Sequence, residues 1–142
     1  FARHPKLKMV MLESGFTWLP PFLWRLHKFW RGVRMETPWV DRPPLEIVRS
    51  NIRFSLQPVD APPEPETLNR LFDHMQSDEL LLFSSDYPHW QFDGDEVLPP
   101  GLSPDLVRKI IIDNPHATYP RLKVAHDTEK RPPVFGQDHA QN

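Results

Sequence analysis

The 142 residues include no cysteine, which excludes disulfide staples, thiolate nucleophiles and cysteine-ligated zinc and leaves the redox compartment open. Glycine is scarce, at five, so floppy linkers are not expected. No apolar run approaches 18 residues, and nothing in the sequence therefore reads as a membrane span. Neither sign of charge dominates. Lys and Arg total 17 against 19 Asp and Glu, a formal balance of −2, which gives no electrostatic footprint for nucleic acid or an anionic membrane. Both are excluded as expected partners. Repeats and low-complexity tracts are also missing.

What is present is a globular composition, 39% apolar and 25% charged, with one excess. Proline occurs 18 times, more than twice the usual share of about 5%. The opening Phe1-Ala2-Arg3-His4-Pro5 has neither signal-peptide nor transit character. It reads as the interior of a longer polypeptide.

Three short apolar runs predict buried strands at Met9 to Leu12, Ile52 to Leu56 and Leu80 to Phe83. Unbroken apolar runs suit parallel strands covered on both faces. Helical patterns alternate with them. After Pro20 and Pro21, the residues Leu19, Phe22, Leu23, Leu26 and Trp30 form one stripe with Arg25, Lys28 and Arg31 outside it. A second helix is predicted over 64–75, with Leu68, Leu71, Phe72 and Met75 inward. Ser103-Pro104-Asp105 opens a third as N-cap, N1 and first-turn acid, and Asn114-Pro115 is expected to stop it. The alternation predicts an α/β domain with parallel crossovers. Residues 32–50 are read as a long insertion, and both sheet edges as unpaired. The prolines sit in loops and at helix starts, never inside an apolar run, which implies stiff loops at one end of the sheet.

Reactive groups in parallel α/β folds gather at the carboxyl ends of the strands. Glu13, Gln57 and Asp86 close the three runs. Asp86 is a candidate metal ligand or proton acceptor; its alternative is a cap on the following turn. Glu13 is a metal ligand, a substrate-facing acid, or a carboxylate paired with an arginine such as Arg25 or Arg53. Gln57 can bind substrate by hydrogen bonds or serve as a structural cap. His89, three residues after Asp86, is a candidate proton shuttle or a backbone-bonded loop histidine. The other six histidines lack metal-ligand spacing. Asp93, Asp95 and Glu96 are read as a solvated acidic loop. Trp18 and Trp90 are placed to wall a substrate pocket, whereas Trp24 and Trp30 are read as helix packing.

Ser84-Ser85-Asp86-Tyr87-Pro88-His89-Trp90 resembles the strand-eight signature of the amidohydrolase-related family, often called amidohydrolase family 2. His4-Pro5-Lys6-Leu7-Lys8, Leu12-Glu13-Ser14-Gly15 and Trp18-Leu19-Pro20 are similar to its sixth strand and loop. Arg42-Pro43-Pro44 and Arg53-Phe54-Ser55-Leu56-Gln57-Pro58 are similar to its seventh-strand region, and residues 114–122 to the end of its last helix. The resemblance covers residues 1–122 and implies the last three β/α units of a (β/α)8 TIM barrel, with 123–142 as an extended polar tail. A whole barrel needs about 250 residues.

It further implies a cytoplasmic enzyme that acts on a small-molecule substrate with one divalent metal, zinc being expected, through a metal-activated water. Asp86 and Glu13 are the implied metal positions, Asp86 and His89 the catalytic pair, and Gln57, Trp18 and Trp90 the substrate contacts. The family's strand-one and strand-five histidines have no counterpart here, so the missing amino-terminal half of the barrel is the implied partner, alongside a homo-oligomer. The sequence departs from the family pattern at Glu13, where the decarboxylase branch often carries histidine, at Gln91, at Pro115-His116, and at His27 and Leu45. A non-oxidative carboxy-lyase is the alternative chemistry. A catalytically inert truncated or split half-barrel is the alternative outside enzymes, and as an isolated chain it is expected to aggregate or dimerise through its open edges.

Overall fold

The computed structural model describes residues 1–90 and 97–122. Three strands, β1 (Met9–Met11), β2 (Ile52–Ser55) and β3 (Leu81–Leu82), form one parallel sheet in the order β1-β2-β3. Met11 pairs with Phe54, and Phe54 with Leu81. All three predicted strands are there, each shorter than its apolar run.

Helix α1 (Leu19–Val33) begins on the Pro20-Pro21 pair, whose preset φ suits a first turn. Leu19 and Leu23 are buried against the sheet, and Arg25, Lys28 and Arg31 point to solvent. Phe22 does not follow its predicted stripe. It is exposed, and with Phe29 and Val33 it makes a second apolar ridge at helical spacing. Trp24 meets the His74 ring edge-on at 5.2 Å, so this ridge lies on the flank of α1 turned away from the following helix layer.

Within the predicted insertion, the chain forms α2 (Pro44–Asn51), packed on α1 and leading directly into β2. Its start is another proline in the first turn, with Glu46 favourably placed near the positive helix end. Helix α3 (Pro65–Met75) matches its prediction and ends on Gln76 in the left-handed region. Phe54, Leu56, Leu68, Met75, Leu80 and Ile110 are all within the core between sheet and helices, and each such side chain contributes about 1.5–3 kcal/mol on burial.

The last helix corrects two expectations. Ser103 Oγ accepts the Leu106 N–H at 3.2 Å, as a cap should, and α4 (Pro104–Arg108) follows. Asn114-Pro115 does not stop the helix. The chain widens into a π-helical turn over Lys109–Asp113 and continues as α5 (Asn114–Thr118). Pro115 has no N–H to give; with the Asn114 N–H donated to the Lys109 carbonyl, the Ile110 carbonyl is left free of a helical donor. It accepts the Phe83 N–H at 3.0 Å instead. Asn114 Nδ2 donates to the carbonyls of Asp78 and Leu81 at 2.8 and 2.9 Å. The bonds at Leu81 and Phe83 fall on the side of β3 opposite β2, because the Phe54 and Leu56 amides use the Leu80 and Leu82 carbonyls. The β3 edge, expected to be open, is capped by the chain's own helix. The outer edge of β1 pairs with no strand among the described residues.

At the amino end of the sheet, Arg53 is buried with Nη1 donating to the Arg49 and Ile52 carbonyls. Burial draws its guanidinium below the ordinary arginine value, partly opposed by Glu79, whose carboxylate is 3.7 Å from Nη2.

Candidate active site

The three strand-closing residues gather at one end of the sheet, stitched by serines. The Glu13 N–H donates to Ser55 Oγ at 2.9 Å, and Ser55 Oγ–H donates to the Gln57 carbonyl at 3.2 Å. The Gln57 N–H in turn donates to Ser84 Oγ at 2.9 Å. Each serine thus ties the end of the preceding strand to its own. Glu13 and Asp86 both stand in the left-handed region, at φ 53° and 61°, a conformation costing a non-glycine residue about 1–2 kcal/mol. Such strain persists where the surrounding structure enforces it and clusters at functional sites. The peptides Gln57–Pro58 and Tyr87–Pro88 are cis.

Asp86 is the acid that follows β3. Its side chain is 11% exposed, yet it does not cap the turn: the Asp86 carbonyl accepts the His89 N–H at 2.7 Å, and Ser85 Oγ accepts the Tyr87 N–H at 3.3 Å. His89 Nδ1 is 3.2 Å from Asp86 Oδ2, close enough for an ion pair when the imidazole is protonated but without the alignment of a hydrogen bond. Oδ2 is therefore buried with no hydrogen-bond partner among the described residues. An unpaired buried carboxylate oxygen is costly, and a cation is the usual remedy.

Glu13 is exposed, and neither expected arginine pairs with it. Arg53 faces Glu79, and Arg25 lies over the Phe29 ring at 5.4 Å. Gln57 is only 3% exposed. Its Nε2 donates to the Val97 carbonyl at 2.8 Å and its Oε1 accepts the Val59 N–H at 3.0 Å, which makes it a clasp between two loops. Of the two readings offered for Gln57, substrate contact or structural cap, this arrangement is that of a cap, because backbone groups hold both ends of the amide. Trp18 is anchored by Nε1 to the Ser14 carbonyl at 2.9 Å and edge-on against Phe54. Trp90 is 82% exposed and touches only the His89 ring among the aromatic contacts of the described residues. Asp93, Asp95 and Glu96 lie outside the described residues, as does the tail over 123–142.

The loop after β1 depends on a residue the sequence reading passed over. Asp60 accepts the Phe16 and Thr17 N–H groups at 3.3 and 3.4 Å and the Thr17 hydroxyl at 2.7 Å. Gly15, at φ 62°, lies so close beneath it that a Cβ there would be 2.5 Å from Asp60 Oδ2. Nothing local to Val59-Asp60-Ala61 signals this clamp. The stitching serines do leave a trace, since Ser55 and Ser84 each stand two residues before a strand-closing Gln57 or Asp86.

The sequence model of the amidohydrolase family matches residues 1–121. The chain belongs to the amidohydrolase family. Fourteen chains of solved structures match it. One is a crystal structure of an amidohydrolase from Mycobacterium avium subsp. paratuberculosis K-10, 27% identical, with a TM-score of 0.59 over 87% of this chain and 30% of that one. This amidohydrolase chain thus spans about a third of that structure's length, and its three parallel strands and flanking helices are part of a TIM barrel. No curated protein sequence matches. The family is one of hydrolase-type enzymes that generally use divalent metals. Tested against that chemistry, Asp86 fits as one donor, through its orphaned Oδ2. Among the described residues, no three His, Asp or Glu side chains come together as a metal site, so Asp86 would be one ligand of a set completed elsewhere. No described helix is long and apolar enough to cross a membrane.

Proposed function

We propose that this chain supplies the closing β/α units of a metal-dependent hydrolase that acts on a small organic substrate, with Asp86 as its contribution to the metal centre. The observation that carries the reading is the Asp86 carboxylate: largely buried, held at positive φ on the carboxyl end of β3, with Oδ2 3.2 Å from His89 Nδ1 and without a hydrogen-bond partner among the described residues. Zinc is the metal proposed; a divalent ion at such a site lowers the pKa of bound water toward about 7. Asp86 would hold that ion or accept at its carboxylate a proton from the attacking water, and His89, 3.2 Å away, would pass that proton on toward solvent. Trp90 and the anchored Trp18 supply apolar surface beside the strand ends.

The remaining ligands come from the units that would extend the sheet past β1. That edge is unpaired among the described residues, Leu7, Met9 and Leu12 are exposed along it, and α1 turns its Phe22, Phe29 and Val33 ridge away from α3. A further parallel strand and its helix would cover both.

Metal analysis and hydrolysis assays of the intact protein, wild type against Asp86→Asn, test the proposal. The expected result is a loss of bound metal together with a rate reduced at least about 100-fold, the scale for losing a positioned acid–base group. Unchanged metal content and activity in the variant would sink it.

A further inference from the structure

At the amino-terminal end of the sheet, opposite Asp86, α1, α2 and the end of α3 enclose a cleft of about 470 Å³, within the usual size range of small-ligand sites. Arg49 enters it three residues before β2, and Gln76 from the left-handed cap of α3. Leu23 and Leu45 give the cleft an apolar floor, and Trp24, 55% exposed, stands as a wall held edge-on by His74.

The polar groups are uneven in sign. Arg49 Nη2 donates to Gln76 Oε1 at 2.8 Å, but Arg49 Nε is buried with no hydrogen-bond partner among the described residues. His27 from α1 and His74 from α3 also face the cleft. Glu46, one turn before Arg49 on α2, is the single carboxylate lining it, and it forms no ion pair with Arg49. One fixed cation, two imidazoles and one acid above an apolar floor suit a ligand with one negative charge and an apolar body. A polyanion would meet Glu46 with too little compensation.

We propose that this cleft binds a small monocarboxylate, its carboxylate on the guanidinium of Arg49 and its chain on Leu23 and Leu45 against Trp24. Guanidinium and carboxylate match in geometry and charge. The proposal is independent of the hydrolase reading and involves none of the strand-end residues.

Octanoate and octylammonium, which share a body and differ in charge, are the probes, titrated calorimetrically into the full chain with Trp fluorescence followed in parallel. Saturable octanoate binding is expected, with no octylammonium binding, and the fluorescence response should vanish in Trp24→Phe. Arg49→Gln should weaken octanoate about tenfold, the scale of one charge-assisted hydrogen bond. If Arg49→Gln fails to fold, Arg49→Lys keeps the charge without the planar guanidinium, and a several-fold loss is expected. Asp86→Asn should leave the affinity unchanged. The inference is overturned if octanoate does not saturate, if octylammonium binds as well, if the Arg49 variants bind normally, or if Asp86→Asn abolishes binding.

Discussion

Replacing Gly15 by alanine tests whether Asp60 sets the loop that follows β1. Two costs arise. At φ 62° an alanine pays about 1 kcal/mol for the left-handed conformation. Its Cβ would also sit 2.5 Å from Asp60 Oδ2 and 3.0 Å from Cγ, so the carboxylate must withdraw from Phe16 and Thr17. Those bonds, at 2.7 to 3.4 Å, lie at a partly solvated site where water replaces them, so their loss costs about 1–2 kcal/mol in all. Gly15→Ala should therefore destabilise by about 2–3 kcal/mol, and Asp60→Ala by about 1–2 kcal/mol. The double variant is the informative one. Once Gly15→Ala has displaced the carboxylate, removing it costs little more, so the pair should lose about 2–3 kcal/mol rather than the sum of the two, a coupling of about 1–2 kcal/mol. Urea unfolding of the four proteins, with equal slopes, measures it. Additivity to within about 0.5 kcal/mol would refute the clamp.

Other expectations follow from the β3 edge and its surroundings. Asn114→Leu leaves the Asp78 and Leu81 carbonyls without their donor and should cost about 2–4 kcal/mol in urea unfolding. The Asn114→Asp variant should be worse at neutral pH, where a carboxylate would face two carbonyls, and should recover as pH falls because the protonated acid can donate to one of them. Lys109 is tied to Asp78, and that hydrogen bond raises the ammonium above the ordinary lysine value. The tie therefore contributes stability fully below the unfolded lysine value of about 10.4 and loses it as pH rises through the folded one. Alkaline unfolding curves should fall less steeply for Lys109→Met than for wild type across that window; identical curves would count against the pair.

Much of the chain was legible because its signals are local. The strands come from unbroken apolar runs, α1 and α3 from prolines ahead of helical stripes, and the start of α4 from Ser103. Helix α2 escaped because its eight residues carry only a short stripe inside Pro-rich flanks, and packing on α1 supplies what length does not. Phe22 escaped because a stripe read from spacing has no knowledge of which neighbours are present. The same division holds at the site: Asp86 was visible as an acid closing an apolar run, whereas Gln57, equally well placed in sequence, turned out to be held by Val59 and Val97.

By itself, the sequence determined the alternation of strand and helix, the stiff proline-bounded loops, the absence of thiol chemistry and the acids at the strand ends, since all of these follow from neighbouring residues and short periods. Tertiary structure alone decided which of those acids is buried without a hydrogen-bond partner among the described residues, that Asp60 reaches across more than forty residues to hold the loop of Glu13, and that Pro115 widens the last helix so that the freed Ile110 carbonyl closes the edge of β3. These outcomes depend on hydrogen-bond partners distant in the chain, and buried polar groups are satisfied or orphaned only when the whole fold brings those partners near.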